Sequence, residues 1–249
     1  MTKKPFATEV DLCARFIAGL EKGWTPYAET SGWDILLVRD QDGFQIGIEA
    51  KLKLNLDVIN QAIEDSIYWV DHAGPDCRAV LVPEGEAGFD RIADYIGITI
   101  IRVRPPYEKG ISGPVFTPYL PKLKEDWMHS EWHEWCPAKR HTLPEYVPDV
   151  AAGSSAPVQL TSWKIAAIKI MVTLEQRGYV TREDFKALKI DHRRWLKPNS
   201  WLVVENGRYV RGHMPDFKAQ HPKVYEQIAA DAPKWMPKVN IPATQLILT

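Results

Sequence analysis

The sequence lacks the features that mark membrane proteins, secreted proteins and disulfide-linked scaffolds. It has no run of about 18 apolar residues, which excludes a membrane-spanning helix. Its first residues, MTKKPFATEVD, contain two lysines but no apolar segment, so they do not have the pattern of a secretory signal. The three cysteines, Cys13, Cys77 and Cys136, are widely spaced and form no CxxC motif, as is typical of reduced thiols. These absences predict a soluble, cytoplasmic protein.

The near-zero net charge of −1 hides an uneven distribution along the chain. Residues 1–104 contain 11 Lys and Arg against 17 Asp and Glu, a balance of −6. Residues 161–225 contain 13 Lys and Arg against 6 Asp and Glu, a balance of +7. A basic segment of this kind either binds a polyanion or is a solvated surface, and charge alone favours neither.

The stretch from residue 33 to residue 52, WDILLVRDQDGFQIGIEAKL, predicts a β-hairpin. Two apolar runs flank the polar residues 40–43, and Asp-Gly between such runs is a strong hairpin signal. Two registers are possible: Asp34 faces Glu49 in one and Lys51 in the other. Because side chains alternate along a strand, both registers place Asp34, Glu49 and Lys51 on one side of the hairpin.

Apolar periodicity predicts helices and further strands around this hairpin. The predicted order is α-β-β-β-α-β-α-β, a mixed sheet with helices on its faces. The predicted helices cover residues 9–20, 56–69 and 89–96. The predicted strands outside the hairpin cover residues 24–30, 78–82 and 98–103.

Glu9 extends the apolar stripe of the first predicted helix by one turn. A carboxylate on a buried face needs a cation or a hydrogen-bond donor. The alternative is an exposed first-turn glutamate that the helix dipole stabilises.

The residues Asp34, Glu49 and Lys51 are of the types that phosphodiester hydrolysis needs. Mg²⁺ binds one or two carboxylates, keeps several waters and contacts phosphate oxygens directly. A lysine beside the metal can orient or deprotonate the attacking water and offset developing negative charge. The carbonyl of the small residue Ala50 is a candidate backbone ligand.

The combination of Glu9 on a helix, Asp34 on a strand and Glu49-Ala50-Lys51 on the next strand resembles the PD-(D/E)xK nuclease superfamily. The βββαβ order after the first helix, over about residues 8–104, is similar to the shared core of that superfamily. Trp33 stands where the motif name has proline, a position that varies within the superfamily.

The resemblance implies a restriction-endonuclease-like fold that uses Mg²⁺, with Mn²⁺ as a substitute. It implies Asp34 and Glu49 as metal ligands and Lys51 as the catalytic lysine. Glu9 is implied as an auxiliary ligand or orienting group, and Gln61 matches a glutamine found in several branches. The alternatives are an ion-pair cluster on a solvated sheet and a nuclease-like core that has lost activity.

The C-terminal third predicts a winged-helix-like domain. Helices over residues 162–177, 181–188 and 191–197 precede an Asn-Gly hairpin with strands near residues 201–204 and 208–211. Four basic residues of this segment are candidate DNA contacts: Arg193, Arg194, Lys197 and Arg208. Alternatively, the domain contacts proteins and the basic side chains are solvated.

Between the two predicted domains, residues 105–158 are rich in proline and tryptophan and predict a connector that packs through its aromatic side chains. His129, His133, Cys136 and His141 are competent zinc ligands. The interleaved Trp132 and Trp135 favour a packing segment instead.

The sequence therefore predicts a nuclease core at 1–104, a connector at 105–158 and a winged-helix-like domain with a tail at 159–249. The function expected from it is a Mg²⁺-dependent, restriction-type endonuclease acting on double-stranded DNA, with a possible homodimer for cutting both strands. The alternatives are a structure-specific nuclease for junctions or repair intermediates, and a non-catalytic DNA-binding regulator on a nuclease-like fold.

Overall fold

The computed structural model describes residues 5–64, 73–106, 113–123, 131–154, 158–196 and 200–237. The chain divides into two compact units, Met1–Gln159 and Leu160–Thr249. In these described ranges, no helix combines the length and the apolar character that crossing a bilayer requires.

The first unit is built on a mixed sheet whose described strands follow chain order, from β1 at one edge to β6 at the other. The pairs β3–β4 and β4–β5 are parallel, and the other neighbouring strands are antiparallel. The predicted α/β class, a mixed sheet flanked by helices, and the predicted element order are confirmed. The elements are α1 (Glu9–Ala18), β1 (Trp24–Thr30), β2 (Trp33–Arg39), β3 (Gln45–Ala50), α2 (Leu56–Ile63), β4 (Cys77–Pro83), α3 (Asp90–Tyr95), β5 (Ile98–Val103) and β6 (Phe116–Thr117).

Each face of this sheet carries its own hydrophobic cluster. Alternate residues of β2 and β3 pack with α1 on one face, including Ile35, Leu37, Ile46 and Ile48. The intervening residues, such as Leu36 and Val38, pack with α2 and with β4 residues on the other face. Coverage of both faces explains why these strands read as nearly continuous apolar runs rather than as alternating ones.

The hairpin of β2 and β3 adopts the first of the two predicted registers. Ile35 pairs with Ile48, and one further step places Asp34 opposite Glu49. Residues 40–43 form the loop, in which Gly43 has a φ of 71° that favours glycine. The Arg39 side chain donates to the Asp42 carboxylate at 2.8 Å and stabilises this loop.

Much of the segment predicted as a connector packs on the sheet of the first unit. It contributes β6, which pairs with β5. Trp132 is buried, and its indole N–H donates to the Tyr119 carbonyl at 2.8 Å. The sequence did not predict β6, because a two-residue strand has no detectable period.

The second unit is mostly helical and contains one described β-hairpin, whose strands β7 and β8 are antiparallel. An isolated bridge joins Val180 to Tyr209 of β8. The elements are α4 (Ser162–Arg177), α5 (Arg182–Ala187), a 3₁₀ turn (His192–Trp195), β7 (Leu202–Glu205), β8 (Arg208–Arg211), α6 (Phe217–Gln220), α7 (Pro222–Ala230) and α8 (Ala232–Trp235).

The third helix expected in this unit is only the single 3₁₀ turn His192–Trp195. Trp195 is 2% exposed and packs edge-on against Phe185 and Trp201, so the turn is held by its aromatic side chain. The expected C-terminal end of that helix, Lys197, lies outside the described residues.

Gly47 offers a test of the close packing beside the hairpin. A Cβ at this position would lie 2.4 Å from Trp33 Cε2, and the Trp33 indole N–H also donates to His141 Nε2 at 3.2 Å. An alanine methyl group would displace the Trp33 ring, and the ring cannot move without losing its hydrogen bond to His141. Gly47→Ala should therefore lower the free energy of unfolding by about 1–3 kcal/mol, which urea denaturation measures.

Gly74→Ala is the matched control, because a Cβ at Gly74 meets nothing closer than 3.5 Å. Equal stability of the two variants would contradict the packing described for Trp33.

Candidate active site

Three elements bring polar side chains to one end of the sheet in the first unit. Asp34 lies near the start of β2, Glu49 near the end of β3, and Lys51 directly after β3. Glu9 is the first residue of α1. Antiparallel pairing brings the start of β2 and the end of β3 together, and helix α1 begins at the same end.

Asp34 is held by the main chain of the neighbouring strand. Its Oδ2 accepts a hydrogen bond from the Ala50 N–H at 2.8 Å. Burial raises the pKa of Asp34, while the Ala50 hydrogen bond opposes this shift; the charge of Glu9 raises the pKa and that of Lys51 lowers it. The carboxylate is therefore oriented by the backbone and partly withdrawn from water.

Glu49 is the most strongly perturbed acid of this cluster. Burial raises its pKa to about 8, and the charge of Asp34 adds to that shift, whereas Lys51 opposes it. At neutral pH the side chain therefore holds a proton for much of the time. A cation beside Asp34 and Glu49 would reverse this by stabilising both charged forms.

Lys51 and Glu9 form an ion pair at the edge of the cluster. Lys51 Nζ lies 3.6 Å from Glu9 Oε1, and the two side chains are 33% and 30% exposed. Glu9 is therefore not just a solvated first-turn residue, since its carboxylate faces the lysine. Both groups remain accessible to a ligand from solvent.

Ala50 and Gln61 complete the residues that the sequence singled out in this unit. The Ala50 side chain is in the core beside α1, so only its main chain is available to the site. Gln61 is exposed on α2, three residues before Glu64 and thus on the same side of that helix. The charge of Glu64, which follows α2, is the smallest contribution to the raised pKa of Glu49, and no described contact joins Gln61 to the cluster.

Sequence reasoning missed Glu29, a further carboxylate in the cluster. It is 9% exposed, and the register of β1 and β2 sets it beside Asp34. Burial raises its pKa, hydrogen bonds from Ser154 and Gly153 oppose this, and the charge of Asp34 raises it. The sequence predicted the strand that carries Glu29, residues 24–30. The hydrogen-bond partners of Glu29 at residues 153–154 are too distant in the chain to be found by pattern.

In the second unit, the candidate DNA contacts are in different situations. The Arg193 guanidinium binds both oxygens of Asp191, with 2.9 Å to Oδ2, and these hydrogen bonds lower the pKa of Asp191 to about 2. Arg208 lies over the Tyr179 ring, 4.1 Å from its centroid, and Arg194 is exposed. Lys197 lies outside the described residues.

Helix α5 carries exposed basic residues that the sequence analysis did not select. Arg182 and Lys186 lie four residues apart on this helix, and Lys189 follows it. We call these three residues the α5 basic stripe. In a helix, a spacing of four residues places two side chains on one face.

The candidate zinc ligands contact different parts of the first unit. The His133 ring lies against Gly97, Cys136 is exposed, and His141 binds Trp33 and Gln45. His129 lies outside the described residues. The three described candidates, His133, Cys136 and His141, therefore do not converge on one point where a zinc ion could bind.

Within the described part of the chain, no three His, Cys, Asp or Glu side chains are grouped as a metal site. Within the cluster, Asp34 and Glu49 are the two carboxylates that lie opposite each other on neighbouring strands. This donor set fits Mg²⁺, which uses one or two protein carboxylates and takes its remaining ligands from water and phosphate.

Comparisons with known proteins give no further assignment. No protein-family model matches the chain. No curated protein and no solved structure matches it either. The function of the chain is therefore inferred from the site itself.

The raised pKa of Glu49 predicts a pH-dependent stability. Because the pKa of Glu49 is about 8 in the folded state and lower in the unfolded state, the free energy of unfolding falls as pH rises toward 8. Glutamine does not titrate, so this fall is absent from Glu49→Gln. Without divalent cations, the free energy of unfolding of Glu49→Gln minus that of the unsubstituted protein should therefore increase from pH 5 to about pH 8, on the order of 2 kcal/mol given the partial exposure of the site.

Urea denaturation in EDTA at several pH values measures this difference. Replacing the exposed Glu21 by Gln is the control, for which no such pH trend is expected. Parallel curves for Glu49→Gln and the unsubstituted protein would show that Glu49 is not withdrawn from water.

Proposed function

We propose that the first unit is a Mg²⁺-dependent endonuclease core that hydrolyses phosphodiester bonds in DNA, of the PD-(D/E)xK type. The observation that carries this proposal is the placement of Asp34 opposite Glu49, with Lys51 two residues further along. Two oxygen donors and an amine at one end of a covered sheet provide metal ligands and a cation for the phosphate.

Asp34 and Glu49 would hold the metal, with the Ala50 carbonyl as a candidate main-chain ligand. When bound, Mg²⁺ supplies charge neutralisation on the phosphate and an activated water. Asp34 is pre-oriented, because the Ala50 N–H already binds one of its oxygens. Such preorganisation limits the reorganisation that ligand binding would require.

Lys51 acts on the phosphate and on the attacking water. Its ammonium group lies close to Glu9, which holds it at the edge of the cluster where a nucleic-acid backbone can approach. From this position it can orient the water and offset the negative charge that develops on the phosphate. Glu9 acts on the lysine rather than on the substrate.

The second unit is proposed to bind duplex DNA as a winged-helix-like module. Its basic charge supports phosphate contacts, which give affinity without sequence information. Arg194 and the α5 basic stripe are better placed for this than Arg193, whose guanidinium Asp191 already binds. A single 3₁₀ turn presents less surface to a major groove than the predicted helix, so phosphate contacts should dominate.

Cleavage of plasmid DNA tests the catalytic proposal. The unsubstituted protein should nick plasmid in Mg²⁺ or Mn²⁺ and not in EDTA. Asp34→Asn, Glu49→Gln and Lys51→Met should each lower the nicking rate about 100-fold or more, because each removes a ligand or a charge at the phosphate. Glu21→Gln should cut normally.

If no DNA is nicked in any divalent cation, the regulator alternative replaces the nuclease. Cutting of one defined site indicates a restriction-type enzyme. Preferential cutting of junctions or flaps indicates a structure-specific nuclease.

Salt-dependent DNA binding tests the role of the second unit. Arg182→Glu combined with Lys186→Glu should weaken binding and reduce the slope of log affinity against log salt by about 2, because two phosphate contacts are lost. Fluorescence anisotropy in Ca²⁺ measures this without cleavage. Arg193→Glu is the comparison, and we expect a smaller change because Asp191 neutralises that side chain.

An unchanged salt slope in the double variant would show that the α5 basic stripe does not contact DNA.

A further inference from the structure

Next to the proposed site, a hydrogen bond joins two residues that are far apart in the chain. The Glu29 Oε1 accepts a hydrogen bond from the Ser154 N–H at 3.1 Å, and the Gly153 main chain gives this carboxylate a second one. Ala152 is buried in the core beside α1. Residues 152–154, which we call the clasp, are thus fixed at the acid cluster.

The clasp touches the first turn of α1 directly. Gly153 has a φ of 75°, and a Cβ there would lie 3.1 Å from the Glu9 carbonyl carbon and 3.0 Å from Cys13 Sγ. A side chain at this position would be strained by the positive φ and would require its neighbours to shift by a few tenths of an ångström. The main chain of the clasp therefore packs against the main chain of Glu9.

Glu29 adopts a backbone conformation that glutamate rarely takes. Its φ is 49°, in the left-handed region, which costs a residue other than glycine about 1–2 kcal/mol. A side chain kept in such a position at a candidate site indicates a requirement for that side chain. In this structure, the Glu29 carboxylate accepts the hydrogen bonds that the main chain of the clasp donates.

We propose that Glu29 is a positioning residue, which holds the clasp against Glu9 and thereby fixes the Glu9–Lys51 ion pair. The chain of contacts runs from the Glu29 carboxylate to the clasp N–H groups, from Gly153 to the Glu9 main chain, and from the Glu9 carboxylate to Lys51 Nζ. Glu29 needs no contact with substrate or metal in this role. Its link to catalysis rests on the function proposed above.

The test compares Glu29→Ala with Glu29→Gln. Alanine removes the acceptor, whereas glutamine keeps one carbonyl oxygen for the clasp and loses the charge. Amide hydrogen exchange at Ser154 should be roughly tenfold faster in Glu29→Ala and near normal in Glu29→Gln. Glu21→Ala, after the other end of α1, is the control.

Acylation of Lys51 by an amine-reactive ester, measured by mass spectrometry relative to the exposed Lys53, reports on the ion pair without any need for nuclease activity. We expect Lys51 to react roughly threefold faster in Glu29→Ala and in Gly153→Ala, because a displaced Glu9 no longer holds its amine. Glu29→Gln should restore the rate. Nicking by Glu29→Ala should fall about 10- to 100-fold in kcat with little change in KM.

Faster exchange at Ser154 with unchanged Lys51 labelling would show that Glu29 only ties down the chain, and would overturn the proposal. Glu29→Gln as defective in cleavage as Glu29→Ala would also overturn it, because the charge would then be what the site uses. If the unsubstituted protein cuts no DNA, the endonuclease proposal fails, while the exchange and labelling results still decide the role of Glu29.

Discussion

The candidate site of the first unit depends on how like charges are accommodated at one end of the sheet. Glu29, Asp34 and Glu49 lie on three adjacent strands, and burial raises the pKa of each. Mutual repulsion would make such a row unfavourable if all three were ionised. This repulsion is relieved by main-chain N–H groups at Asp34 and Glu29, by the raised pKa of Glu49, which favours its neutral form, and by the nearby Lys51 charge.

This arrangement has a physical consequence for the rest of the fold. Both faces of the sheet carry hydrophobic clusters, so the strands that bear the acids are fixed by the packing of their neighbouring apolar residues. A covered sheet supplies the rigidity that a preorganised site needs. The Mg²⁺ proposed above would offset the repulsion between Asp34 and Glu49, the two carboxylates that lie opposite each other.

The second unit achieves its organisation differently. Aromatic rings of Trp163, Trp195 and Trp201 form a cluster around the 3₁₀ turn. Part of its basic surface is neutralised within the unit, as in the pairs Arg193–Asp191 and Arg177–Asp184. The 13 basic residues of segment 161–225 thus overstate the number of groups available to a polyanion, whereas the balance of +7 already subtracts the six acidic residues. The positions of individual basic residues, rather than their sum, decide which can contact phosphate.

The sequence alone determined the order of helices and strands in the first unit and the side of the hairpin on which Asp34, Glu49 and Lys51 lie. These features follow from apolar periodicity, side-chain alternation and a local turn, all of which act between residues close in the chain. The tertiary structure decided the register of β2 and β3, the approach of Glu9 to Lys51 and the contact of Glu29 with Ser154, 125 residues away. It also reduced the third helix of the second unit to one turn. Such features depend on packing between distant segments, which leaves no period and no fixed spacing in the sequence.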